Sequence, residues 1–148
     1  MNQIGAWGAT RAKRDFAHRV VWFCIDELMP RYSTLGICID LCEDDMDNCD
    51  GYCQCIDKRE FNLLIDSRLK GDDFISAVCH EMVHVKQYAS GKLKNKGIDH
   101  YWNGELIPSN YTTVEEYLAL PWEQEAYEMQ EILTKRYKRM KKTSQDPV

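Results

Sequence analysis

The sequence predicts an α+β domain: a helix, three strands, a second helix, an irregular stretch and a last helix. Three observations carry the prediction. Apolar residues recur at three- and four-residue steps in three separate stretches, around Phe16–Leu28, Phe74–Tyr88 and Trp122–Met140. Between the first two, the period changes to two. Turn and cap residues stand at the joints.

Thr10 is the expected N-cap of the first helix, which runs to about Met29 and stops at Pro30. Phe16, Val20, Phe23, Cys24 and Leu28 form its apolar stripe, and Arg11, Arg14 and Arg19 lie opposite. Ile37, Ile39 and Leu41 alternate along a first strand, Leu35 to Cys42. Tyr52–Ile56 reads as a second strand and Glu60–Asp66 as a third. The connections between them are short, which predicts a three-stranded antiparallel meander.

Gly71-Asp72-Asp73 opens the central helix with an expected Asp cap and an acidic first turn, and Ser90-Gly91 closes it. No long period runs from Lys92 to Asn110, where Trp102–Pro108 suggests a short hairpin or an extended piece in a loop of functional length. Thr113-Val114-Glu115-Glu116 has the pattern of a capping box. Pro121 suits the first position of the last helix, whose stripe is Trp122, Ala126, Met129, Leu133, Tyr137 and Met140. The expected organisation is one domain over 1–142 with a flexible tail at 143–148.

The composition excludes several classes. The chain has 148 residues, 44% hydrophobic and 29% charged, which suits one ordinary globular domain. A formal charge of -5 argues against a protein that coats nucleic acid. The first residues, Met1 to Trp7, lack a basic stretch followed by an apolar run, so no signal peptide is expected. No stretch approaches the ~20 apolar residues that cross a bilayer. A cytoplasmic protein with no membrane partner is the expectation, and its seven cysteines are then expected as reduced thiols.

The chemistry concentrates in the central helix, at His80-Glu81-Met82-Val83-His84. Residues four apart share a helix face, so both imidazoles can reach one ion. Glu81 then stands beside that ion, where it can hold and deprotonate a water. This predicts a single catalytic Zn²⁺. Three protein ligands plus water is the usual catalytic arrangement, so a third ligand is needed. His18 and His100 are the other histidines, and Glu123 and Glu125 stand on the last helix. Both glutamates flank the apolar stripe at similar angles, so periodicity leaves the choice open, with His100 as an outside candidate.

Two phrases carry a family resemblance, His80-Glu81-Met82-Val83-His84-Val85-Lys86-Gln87-Tyr88 and Leu120-Pro121-Trp122-Glu123-Gln124-Glu125-Ala126-Tyr127. With the order of elements around them, they resemble the zincin-like metallopeptidases of the gluzincin kind. The likeness is to the small single-domain forms of bacteria and phages and to the ImmA/IrrE-like proteins. It covers roughly Arg11 to Met140. The resemblance implies that the first Glu of a Glu-x-x-Ala pattern, Glu123, is the third ligand, and that Ala126 lets the two helices approach. Related chains place a polar residue four after that Glu to orient a ligand histidine; Tyr127 stands there. The resemblance implies hydrolysis of peptide bonds in a peptide or protein substrate, with Glu81 as general base. It also implies a place in the host cytoplasm if the source is viral. Tyr88, Tyr101, Tyr111, Tyr117 and Tyr127 are the candidates to stabilise the oxyanion.

Other signals point elsewhere. Cys38/Cys42 and Cys53/Cys55 each share a strand face, so with Cys49 they suggest a second metal or a local disulfide, against small residues packed on a sheet. Their C-x3-C and C-x-C spacings are not those of zinc ribbons. The acidic run Glu43–Asp50 lacks calcium-loop register and reads as a solvated turn. Lys135, Arg136, Lys138, Arg139, Lys141 and Lys142 form a basic patch that suits a helix C-terminus and is a nucleic-acid candidate. Two alternatives to a peptidase therefore stand: a catalytically quiet zincin fold that docks a partner, and an SprT-like protease acting on DNA-bound proteins.

Overall fold

The chain begins with a strand that no alternation in the sequence announces. The computed structural model describes residues 1–43, 50–108 and 110–144, and its first element is β1 (Gln3–Gly8). Ile4 and Ala6 of β1 pack on the core, while Trp7 lies over Gly5 on the other side and is 56% exposed. Asn2 ties this strand down, accepting from the Leu35 amide and donating to the Tyr32 carbonyl, both at 2.8 Å. The helix α1 (Arg11–Leu28) follows as expected, with the Thr10 side chain accepting from the Lys13 amide at 3.2 Å. Its stripe is buried except for Phe16 and Leu28, which pack at the margin. The chain then enters β2 (Gly36–Cys42), which runs parallel to β1. These three elements form a β-α-β unit, a local topology in which the connecting helix covers one sheet face.

The meander expected from the next two strands is not what forms. β3 (Gly51–Asp57) and β4 (Glu60–Asp66) pair antiparallel across a tight turn, but β4 pairs with β2 in parallel. The sheet order is β1-β2-β4-β3, so β4 fills the slot beside β2 and β3 becomes the edge. Alternation fixes which face a side chain takes and says nothing about which strand lies beside it. Here β4 takes an inner slot, leaving Phe61, Leu63 and Ile65 at 1% exposure or less. Ile37, Ile39 and Leu41 share that inner face with them.

The same register separates the cysteines. Cys53 and Cys55 pair with Leu63 and Phe61 on the inner face, whereas Cys38 pairs with Asn62 on the outer one, and Cys42 shares its parity. The four thiolates therefore do not converge, and the described cysteines are free thiols. Cys49 and most of the acidic turn lie outside the described residues.

Against the inner face lies α2 (Gly71–Ala89), which also packs on α1. Every residue from Ala77 to Val85 is buried, so this is a core helix. Each large apolar side chain on it contributes about 1.5–3 kcal/mol by leaving water. Its N-cap is Lys70, with no side-chain cap bond; Asp72 and Asp73 lie in the first turn, facing the helix dipole, and do not cap it. Gly71 has φ +55°, a conformation that lets the chain turn sharply into the helix.

The irregular stretch holds the antiparallel meander of this chain, β5 (Leu93–Lys96), β6 (Asp99–Trp102) and β7 (Glu105–Ile107). Asn103 and Gly104, at φ +52° and +85°, make the two-residue turn between β6 and β7. Then come α3 (Val114–Leu118) and α4 (Pro121–Ser144). Thr113 caps α3 by accepting from the Glu116 amide at 3.1 Å, but the Glu116 carboxylate returns to the Thr112 amide and not to the cap residue's own. The last helix continues to Ser144, past the expected end at 142, and the rest of the expected tail, 145–148, lies outside the described residues. Leu93, Leu120 and Trp122 form a small second cluster, and Tyr88 packs against both it and the main core. Among the described residues no helix is long and apolar enough to cross a membrane.

Candidate metal centre

Where α2 meets α4, the contacts run in opposite senses along the two helices. Ser76 meets Thr134, His80 meets Gln130, and Gln87 meets the Trp122 carbonyl, so the helices are antiparallel. Ala126, fully buried, allows the close approach expected of it, with Leu133 and Tyr137 continuing the contact. This packing carries Glu123, in the first turn of α4, onto the face of α2 that bears the two histidines.

His80, His84 and Glu123 each offer one ligand atom, and those atoms lie within 4.8 Å of one another. Glu123 Oε1 is 3.0 Å from His80 Nε2, and its Oε2 is 3.0 Å from His84 Nε2. The three residues are 3–8% exposed. Burial pushes the Glu123 carboxyl up, but hydrogen bonds to His80 and His84 outweigh it and hold the pKa at about 2. For His84 burial works downward and Glu123 and Glu81 work upward, with a net raised pKa. Hydrogen bonding among them explains why such polar groups tolerate the interior.

The far nitrogens of both rings are also held. His80 Nδ1 lies 2.7 Å from Gln130 Oε1, and His84 Nδ1 lies 2.7 Å from Gln87 Oε1. An amide oxygen on Nδ1 fixes each ring and leaves Nε2 for a ligand, the arrangement that metal-binding histidines use. The donor set fits a borderline cation such as Zn²⁺: two imidazole nitrogens and one carboxylate, buried and anchored from behind. Glu123 spans the two imidazoles with one oxygen on each, and one atom from each of the three residues lies within 4.8 Å of the others.

Glu81 is 6% exposed, one residue along α2 from His80. Burial pushes its carboxyl up, partly countered by His84 and His80. The edge strand β3 closes over it, since a Cβ on Gly51 would stand 3.2 Å from Glu81 Oε2 and 3.0 Å from the Leu64 carbonyl oxygen. A side chain there would require these neighbours to give by a few tenths of an ångström. An open depression is lined by Leu118, Gln124 and Tyr127. The Tyr127 ring centroid is 4.5 Å from that of His80, so the depression adjoins the histidines.

The remaining candidates are placed elsewhere. Glu125 pairs with Lys92 at 2.6 Å and with Gln87. His100 stacks on Trp122, and His18 lies 3.3 Å from the Ile4 carbonyl, so neither joins the group. The Tyr88 hydroxyl accepts from Asn95, Tyr101 lies under Lys96, and Tyr111 packs on Tyr117. In the basic patch, Arg136 pairs with Glu27 and Lys138 with Asp72. The two glutamines were the residues that sequence reasoning missed. Their signal was faint: Gln87 is one turn past His84, and Gln130 is two turns past Glu123 on the same face.

No family model matches the chain, and no curated protein or solved structure does either. The likeness to zincin-like metallopeptidases therefore rests on the two sequence phrases alone.

Proposed function

We propose that this protein is a zinc-dependent metallopeptidase of the zincin-like, gluzincin kind. The observation that carries the reading is the convergence of His80 Nε2, His84 Nε2 and the Glu123 carboxylate, with the Glu81 carboxyl beside them. When bound, zinc supplies a water of lowered pKa and a Lewis acid for the peptide carbonyl. The rest is work for the chain. Glu81 takes the proton of the attacking water on a carboxylate oxygen and delivers it to the leaving amine nitrogen. Its buried position keeps that proton from bulk water. Gln87 and Gln130 hold the imidazoles, and Tyr127, whose ring packs on His80, is our candidate to stabilise the developing oxyanion.

The test is Glu81→Gln, assayed on a peptide library with and without chelator, alongside metal content per chain. Hydrolysis should fall by roughly 10²–10⁴, the usual worth of a general base, while one zinc per chain is retained. A variant that still cleaves at the parental rate would remove Glu81 from the role. A wild-type chain that binds zinc and cleaves nothing would leave the catalytically quiet alternative in its place.

A further inference from the structure

Gln87 is the most enclosed polar side chain beside the site, at 1% exposure, and it touches three groups. Its Oε1 is 2.7 Å from His84 Nδ1, and its Nε2 is 3.1 Å from both the Trp122 carbonyl oxygen and Glu125 Oε1. A carbonyl and a carboxylate only accept, and an amide nitrogen only donates. Turning the amide over would set its oxygen against two acceptors in a buried place and leave all three unpaired. The orientation is therefore forced, and it dictates the imidazole. Gln87 Oε1 can only accept, so His84 Nδ1 carries a hydrogen, and the Nε2 of the neutral ring is bare. That bare nitrogen faces Glu123 Oε2 at 3.0 Å, one acceptor against another, which only a proton or a metal cation between them relieves.

Glu125 is what holds the amide from outside. Its Oε2 takes Lys92 Nζ at 2.6 Å, and the same ammonium lies 4.6 Å over the Trp102 ring. Lys92 and Glu125 are each about one-third exposed, so the chain of contacts Lys92–Glu125–Gln87–His84 runs from solvent to the site.

Resting on the zinc reading above, we infer that Gln87 is a positioning residue that sets the His84 tautomer for metal, and that the Lys92–Glu125 pair acts on the metal through it. Glu125 is then neither a ligand nor an idle surface charge. This relay makes affinity for the ion depend on a pair on the far side of Gln87 from it.

The experiment is competition of the intact protein with a chromophoric chelator for Zn²⁺, on wild type, Gln87→Ala, Glu125→Ala, Glu125→Gln and the Gln87→Ala/Glu125→Ala double variant. Thermal melts of each report folding. Gln87→Ala should weaken zinc by about 10–100-fold. Glu125→Ala should weaken it by a smaller factor, and Glu125→Gln, which keeps an oxygen for the Gln87 amide, should restore most of that loss. The double variant should bind no more weakly than Gln87→Ala alone, because Glu125 acts through Gln87. Additive losses, or a Glu125→Ala variant that binds like wild type, overturn the relay. Glu125→Ala is a partly exposed change, so it reads the relay even if Gln87→Ala fails to fold. A metal-free readout separates this inference from the zinc reading. In ¹⁵N-edited spectra the His84 Nδ1–H should be protected from exchange in wild type and unprotected in Glu125→Ala. Protection without zinc binding would sink the zinc reading and leave only the tautomer assignment standing; zinc binding without protection would sink the relay.

Discussion

The two helices that make the site differ in almost every respect except that both are required. α2 is enclosed from Ala77 to Val85, and it supplies His80, Glu81, His84 and Gln87 from one unbroken run. α4 has one buried face and a solvated one, and it supplies Glu123 and Gln130 seven residues apart. On α2 the geometry of the pair follows from the helix itself, because residues four apart share a face whatever surrounds them. On α4 the position of Glu123 depends on how two helices pack, through Ala126, Leu133, Tyr137 and the Ser76–Thr134 hydrogen bond. A site can thus be half local and half tertiary.

The largest expected effects test whether the tertiary half matters as much as the local one. Glu123→Ala and His84→Ala should each abolish tight zinc binding, with losses beyond the ~100-fold ceiling of a supporting residue. His100→Ala should leave affinity unchanged, since that ring stacks on Trp122. Isothermal titration measures all three. If Glu123→Ala binds zinc as well as wild type while His84→Ala does not, the α4 half of the comparison breaks.

That contrast is also the contrast between what the sequence made legible and what it did not. The three strands Gly36–Cys42, Gly51–Asp57 and Glu60–Asp66 stand within a residue or two of their alternating runs, and α1 starts at its cap, Thr10. Those are local facts. Their order in the sheet was missed because a period of two encodes a face and not a neighbour. β1 was missed because it carries a single strongly apolar residue, Ile4, and its pairing with β2 is made by backbone. At the site, His80 and His84 were legible as a pair. Angle alone left Glu123 and Glu125 unresolved, and the structure turns Glu125 toward Lys92 instead. Gln87 was hidden in plain sight, a polar residue on a core helix whose partners come from a distant segment.

The second comparison concerns packing. Met82 on α2 is fully buried, whereas Ile132 on α4 is 38% exposed. Met82→Ala should cost about 2–5 kcal/mol by transfer and cavity terms. Ile132→Ala should stay within about 0.5 kcal/mol, as surface changes do. Urea denaturation of the two variants gives the ratio directly. Comparable losses would mean that the solvated face of α4 is covered in solution, and α4 would then resemble α2 more than the structure indicates.

A smaller effect than the Met82 loss lies where the two helices begin. α4 opens on Pro121, whose fixed φ suits a first helical position. α2 opens on Gly71 at φ +55°, with open space where a Cβ would be. An alanine there meets no atom, so Gly71→Ala isolates the cost of placing a side chain in the left-handed region, about 1–2 kcal/mol. Pro121→Ala loses only the restriction on the unfolded chain, about 0.4–1 kcal/mol. Both are read as shifts in the midpoint of unfolding at unchanged slope. If Gly71→Ala proves neutral, the entry to α2 can relax to an ordinary helical start. Zinc affinity of that variant should match wild type either way, because His80 lies more than two turns farther along a helix held on all sides.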